Sequence, residues 1–192
     1  MSEVIDTSEF QFKGKHAEYV FKLTSEIDTR TKFRIFQRNI DVLIFASIVG
    51  KLYGKRSKVD NNTSIKPVKI NYQQLTRESS VLDYNKELIL LLNSRDENID
   101  INERINKSFR YIYDNKQEYQ DKKIECEQEY LEFVLGGVEI LYEKIMSNAK
   151  TIDDYIDNIY EFIEDIQEII GSSKMEDDEL YNLCMKAEKN QN

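Results

Sequence analysis

Apolar residues recur along most of this chain at spacings of three and four, the period of one α-helix face rather than the alternation of a strand. The clearest run is Ile152, Tyr155, Ile156, Ile159, Phe162, Ile163, Ile166 and Ile170. It predicts an amphipathic helix opened by Thr151-Ile152-Asp153-Asp154, which resembles a capping box, and closed by Gly171. Ala17, Tyr19, Val20, Leu23 and Ile27 predict a helix over 15–27. Ile35, Phe36, Ile40, Leu43, Ile44 and Val49 predict a second, over about 32–54. Val42, Phe45, Ile48 and Leu52 widen its stripe until no face is polar enough to meet water. This helix is therefore expected at the centre, with Ile44, Phe45, Ile48 and Leu52 mostly buried. Ala46, Gly50 and Gly54 lie four apart on one side of it, a row that lets another backbone approach closely; Gly54 also suits a helix C-cap.

The remaining pattern is more broken. Residues 1–12 read as a loose arm. Residues 55–70, with Asp60-Asn61-Asn62 and the single proline Pro67, read as a loop. A helix or turn over 71–77 follows, then a helix capped by Ser79 or Ser80 and running from Val81 to about Leu92. Ile101, Ile105, Phe109 and Ile112 begin another, which either continues or kinks near Asp114-Asn115 into a long helix through Met146. Gly136-Gly137 lies inside that segment and implies a kink or a close contact, since each interior Gly costs about 1 kcal/mol relative to Ala. A last short helix is expected over about 177–188.

One proline and six glycines in 192 residues argue against a turn-rich β-fold, and 40% apolar residues argue against disorder. The expectation is an all-α fold: an irregular bundle of six to eight helices in a single domain over 13–192, its central buried helix at about 32–54. No stretch is apolar enough for a membrane span, and residues 1–12 have acids where a secretory signal has bases. Cys126 and Cys184 suit two reduced thiols. The expected location is the cytoplasm.

Charge changes the picture. Residues 13–77 hold 14 Lys/Arg against 5 Asp/Glu, whereas residues 81–192 hold 13 against 27; the whole chain is at −9. The split permits a basic lobe (13–77) and an acidic lobe (81–192), and it suggests a partner with a preferred end. The candidate binding set is Arg30, Lys32, Arg34, Arg38, Lys51, Lys55, Arg56, Lys58, Lys66 and Lys69. Cations at loop tips and helix ends suit phosphate contacts; an acidic protein surface, including that of a second copy, suits them as well. Reversing Lys55, Arg56 and Lys58 is expected to weaken such a contact while leaving the fold intact.

Catalytic chemistry finds little support. His16 is the only histidine, which removes most zinc sites and the two Glu-x-x-His motifs of di-iron bundles. Asp96 to Asp100 begins like a calcium loop, but Ile101 stands where the turn needs Gly and Lys107 where it needs Glu. The carboxylates of 153–168 fall mostly opposite the isoleucine stripe and read as a solvated face. Lys13-Gly14-Lys15 and Tyr53-Gly54-Lys55 lack Walker spacing. No catalytic residue, metal ligand or cofactor site is expected.

Two segments resemble known proteins. Ile35-Phe36, Ile40 to Ala46, Gly50 and Tyr53-Gly54-Lys55-Arg56 resemble a segment of small accessory proteins of bacterial antiphage loci, notably those linked to DNA phosphorothioation (Dnd) systems. Phe133-Val134-Leu135-Gly136-Gly137-Val138-Glu139-Ile140-Leu141 is similar to helical proteins of such loci and to small subunits of SMC-like systems such as Lamassu. The resemblance implies a non-enzymatic accessory or adaptor subunit beside a nuclease or an SMC-like ATPase, and it supplies no catalytic residues. The alternative is a protein that binds nucleic acid directly through its basic third.

Overall fold

The computed structural model describes residues 9–93 and 100–172. Among them the fold is helical, with one two-stranded antiparallel ribbon. The elements in chain order are β1 (Glu9–Phe12), α1 (Gly14–Thr24), α2 (Asn39–Leu52), β2 (Val68–Asn71), α3 (Tyr72–Arg77), α4 (Ser79–Leu91), α5 (Ile101–Asn106), α6 (Gln120–Leu141) and α7 (Ile152–Ser172). Single π-turns extend α5 over Lys107–Tyr111 and α6 over Tyr142–Met146. The break near Asp114-Asn115 is real: a short 3₁₀ turn at Gln117–Tyr119 leads into α6. The helix expected over 177–188 lies outside the described residues.

The ribbon corrects the reading of residues 9–12 as a loose arm and of 68–70 as loop. Glu-Phe-Gln-Phe alternates, so Phe10 and Phe12 share the buried face while Glu9 and Gln11 do not. Phe10 pairs with Ile70 and Phe12 with Val68. Four-residue strands whose partners are some sixty positions apart leave little local signal. Asn71 ends β2 and caps α3: its side chain accepts from the Gln74 amide at 2.9 Å.

The second helix starts at Asn39, seven residues later than expected. Asp28 prevents an earlier start by accepting from the Thr31 amide (2.7 Å) and hydroxyl, a local turn that competes with helix. Lys32 then adopts a left-handed φ of 56°, and Ile27 donates to the Phe33 carbonyl. Asp41 closes the new N-terminus by accepting from the Arg38 amide at 3.0 Å.

α2 is central, and α6 is its principal neighbour. The row Ala46/Gly50 meets the pair Gly136-Gly137. A Cβ on Gly50 would lie 2.8 Å from the Phe133 carbonyl carbon, and one on Gly137 would lie 2.6 Å from the Ala46 carbonyl carbon; both would come nearer still to the oxygens. A Cβ on Gly136 would meet the Lys55 carbonyl in the same way. The glycine pair is thus a close contact inside a continuous helix. Gly54, at φ 60°, lies just beyond the helix in the conformation a C-cap glycine supplies.

The buried face of α2 is Ile40, Val42, Leu43, Ala46, Ser47, Val49 and Gly50. Of the four residues expected inside, Ile44 and Leu52 are half-buried, while Phe45 and Ile48 are 39% and 36% exposed. Phe45 is covered only in part, by the Phe36 ring at 5.9 Å. A helix apolar all round does not announce which side its neighbours take. One core runs through both charge halves, from Phe12, Val20 and Leu23 through α2 to Phe133, Val138, Leu141 and Phe162.

Candidate functional site

The most connected polar group among the described residues is Glu139, on α6 directly after the glycine pair and Val138. The close approach of α2 brings the chain leaving α2 across this point, and α1 crosses it from the other side. His16 Nε2 lies 3.1 Å from its carboxylate, Lys15 Nζ 2.8 Å and Lys55 Nζ 3.6 Å, and the Ser57 hydroxyl donates to it. Burial opposes the charge of Glu139, but the bonds from Lys15, Ser57 and His16 outweigh it and hold the pKa at about 2. His16 is fully buried, and that burial lowers its pKa against the pull of Glu139. The neutral ring therefore donates Nε2–H to Glu139, and Nδ1 has no partner among the described residues. Asp60 completes the cluster by accepting from the Lys15 amide at 2.7 Å, which places a carboxylate on the N-terminus of α1. Gly14, at φ 52°, makes room for it.

Ser57, His16 and Glu139 are the residue types of a hydrolase triad in the wrong order. Both the hydroxyl and the imidazole address the carboxylate, and none of the contacts joins Ser57 to His16. What the arrangement does is tie two chain segments, α1 and the loop after α2, to one carboxylate on α6. Nothing local flags it, because Glu139 is 123 residues from His16 and 82 from Ser57.

The ten predicted cations divide sharply. Arg56 pairs with Glu129 (3.2 Å) and Glu132 (3.7 Å) on α6 and covers the Phe133 ring at 4.7 Å. Lys51 lies over the same ring at 5.5 Å, and Lys55 reaches Glu139. Arg34 pairs with Glu26, Arg38 with Asp41 and Glu78, and Lys69 with Glu9. Arg30, Lys32, Lys58 and Lys66 are exposed and carry no ion pair among the described residues. They stand on two loops: Arg30 and Lys32 on the loop before α2, Lys58 and Lys66 on the loop after it. Arg56 is no free surface cation, and its pairs with Glu129 and Glu132 argue against the expectation that reversing it spares the fold.

No three His, Cys, Asp or Glu side chains are grouped as a metal site among the described residues. Cys126 is free and buried, and burial pushes its thiol up to about 12. No described helix is long and apolar enough to cross a membrane.

Comparison with curated proteins and with solved structures gave no match. A protein-family model does match, over residues 10–178, and its description is DNA sulphur modification system-associated protein 4. The matched span covers every element described above but for Glu9 at the start of β1, including both segments that resemble Dnd-linked accessory proteins, and the chain belongs to this family of DNA sulphur modification system-associated proteins.

Proposed function

We propose that this chain is a non-enzymatic, cytoplasmic adaptor subunit working beside the proteins of a DNA sulphur modification system, with a nuclease or ATPase subunit as its partner. Its exposed cations Arg30, Lys32, Lys58 and Lys66 make a partner contact. The observation that carries this reading is their freedom from ion pairs in a chain whose other predicted cations are held internally. The Glu139 cluster supports a structural rather than chemical role for the only histidine, since its carboxylate is saturated and His16 is fully buried.

Direct DNA binding is the second reading, favoured by the placement of those four cations on loops, where phosphates can reach them. The variants Arg30→Glu/Lys32→Glu and Lys58→Glu/Lys66→Glu test both. A low-salt gel shift of duplex DNA by the isolated protein, lost in the variants, favours DNA. No shift, with loss of a co-purifying system protein in the variants, favours the adaptor. Retention of every partner and of full affinity in both variants overturns the assignment of these cations.

A further inference from the structure

Of the twelve exposed large apolar side chains among the described residues, four belong to one helix, α7: Ile156, Tyr160, Ile163 and Ile170. At about 100° per residue they fall within a wedge of about 80°. Phe162, Ile159 and Ile166 occupy the neighbouring arc and face the core. On the other flank, Asp153, Asp157, Glu161, Glu164 and Glu168 form a second lane along the helix. α7 contains no Lys or Arg, and these five acids carry no ion pair among the described residues. The helix is firmly held. Thr151 and Asp154 cap it reciprocally, Asn158 donates to the Ile145 carbonyl at 3.0 Å, Lys144 pairs with Asp165 at 2.5 Å, and the Phe162 ring stacks near Tyr53.

We infer that this face of α7 docks a basic amphipathic helix of a partner protein. Two parallel lanes, one apolar and one acidic, complement a helix with an apolar stripe flanked by Lys or Arg. Charge decides against the other occupants. Five unpaired carboxylates repel nucleic-acid phosphates and anionic lipid headgroups. A symmetric pairing of two α7 helices sets one acidic lane beside another. This surface is distinct from the basic loops, and its test stands or falls apart from theirs.

The probe is a synthetic 18-residue helix of Leu and Lys with Leu on one stripe, compared with a scrambled peptide of the same composition. Binding to the full chain is followed by fluorescence anisotropy. The striped peptide should bind at least tenfold more tightly than the scramble. Ile156→Ser/Ile163→Ser should lower that affinity at least tenfold while leaving the melting temperature unchanged, because both side chains are already exposed. Glu161→Gln/Glu164→Gln/Glu168→Gln should lower it and flatten its salt dependence. Removing three exposed acids elsewhere, by Glu118→Gln/Asp121→Asn/Glu125→Gln, should not. Equal binding of the scramble, or full affinity in the isoleucine variant, reduces the attraction to net charge and overturns the inference. So does self-association of the free chain that the isoleucine variant abolishes, which assigns the face to a second copy. Striped-peptide binding that emerges only after deletion of residues 173–192 overturns it in favour of the chain's own terminus.

Discussion

Replacing Gly50 or Gly137 by Ala sets two effects of opposite sign against each other. Both residues sit inside helices, where Ala is favoured over Gly by about 1 kcal/mol. Propensity alone predicts a more stable protein. Packing predicts the reverse. The new methyl on Gly137 would lie 2.6 Å from the Ala46 carbonyl carbon and 2.8 Å from the Gly50 amide nitrogen, and the one on Gly50 would lie 2.8 Å from the Phe133 carbonyl carbon. These neighbours are backbone atoms of hydrogen-bonded helices, so no rotamer change relieves the overlap. The helix axes must separate, which loosens the contacts of Val49, Phe133 and Val138 along the seam. Overpacking of this kind costs roughly 1–3 kcal/mol and sometimes more, and the rigid obstacle places these sites at the upper end. The net expectation is a loss of about 2 kcal/mol, or about 4–8 °C in melting temperature for a chain of this size. The double variant should lose less than the sum, because one separation of the helices relieves both clashes. Gly171→Ala is the control: its Cβ meets nothing within 4 Å in the last turn of α7, so its melting temperature should stay level or rise slightly. Urea unfolding followed by far-UV circular dichroism reads all four proteins. A stabilised Gly50→Ala or Gly137→Ala refutes the close approach of α2 and α6.

Arg56→Glu should destabilise the fold by roughly 2–4 kcal/mol, because it sets a carboxylate beside Glu129 and Glu132 and uncovers Phe133; Lys58→Glu should stay within about 0.5 kcal/mol in the same unfolding assay. Acid should weaken the protein in two windows. His16 has a lowered pKa in the fold, so the unfolded chain binds more protons below about 6.5 and stability declines from there. Glu139 falls from 4.5 to about 2 on folding, so its contribution of roughly 3 kcal/mol is intact above pH 4.5 and is lost as pH drops toward 2. Melting curves from pH 8 to about 2 check both windows, and Glu139→Gln should flatten the lower one. In a Cys184→Ser background, Cys126 should react with a thiol reagent only after denaturation, since its thiol is buried and titrates at about 12.

Legibility followed the range of the interactions. The helix over 152–170 and the cap at Thr151 rest on residues close in sequence and could be read, whereas the break at Asp114-Asn115 and the close contact at Gly136-Gly137 were each one of two readings that local sequence leaves open. The start of α2 was missed because an apolar stripe beginning at Ile35 says nothing of the turn that Asp28 builds with Thr31. The ribbon was missed because β1 and β2 are each too short for periodicity and complete each other across the whole of α1 and α2. In the sequence Glu139 stands only as one residue of the segment Phe133 to Leu141. Its partners arrive from α1 and from the loop after α2, an arrangement that no local spacing encodes.

The charge split acquires a physical reason once α2 is seen against α6. The chain leaving α2 carries Lys55 and Arg56, and the helix it crosses carries Glu129, Glu132 and Glu139 on the facing side. The Lys55 carbonyl rests on Gly136, and the Ser57 amide donates to the Glu132 carbonyl at 3.0 Å. Backbone approaches backbone here, so the side chains around the seam meet at its edges, where opposite charges pair while still reaching water. Such pairs fix the register of the crossing, and the most exposed of them, Lys55 at 3.6 Å from Glu139, adds little stability of its own. Part of the basic third and part of the acidic remainder are therefore two sides of an internal seam. What they leave over is a small set of cations on the two loops that flank α2 and, on α7, an acidic lane with no ion pair among the described residues. Those residues have no internal claim on their charge, and it is there that binding to other molecules can be separated by mutation from folding.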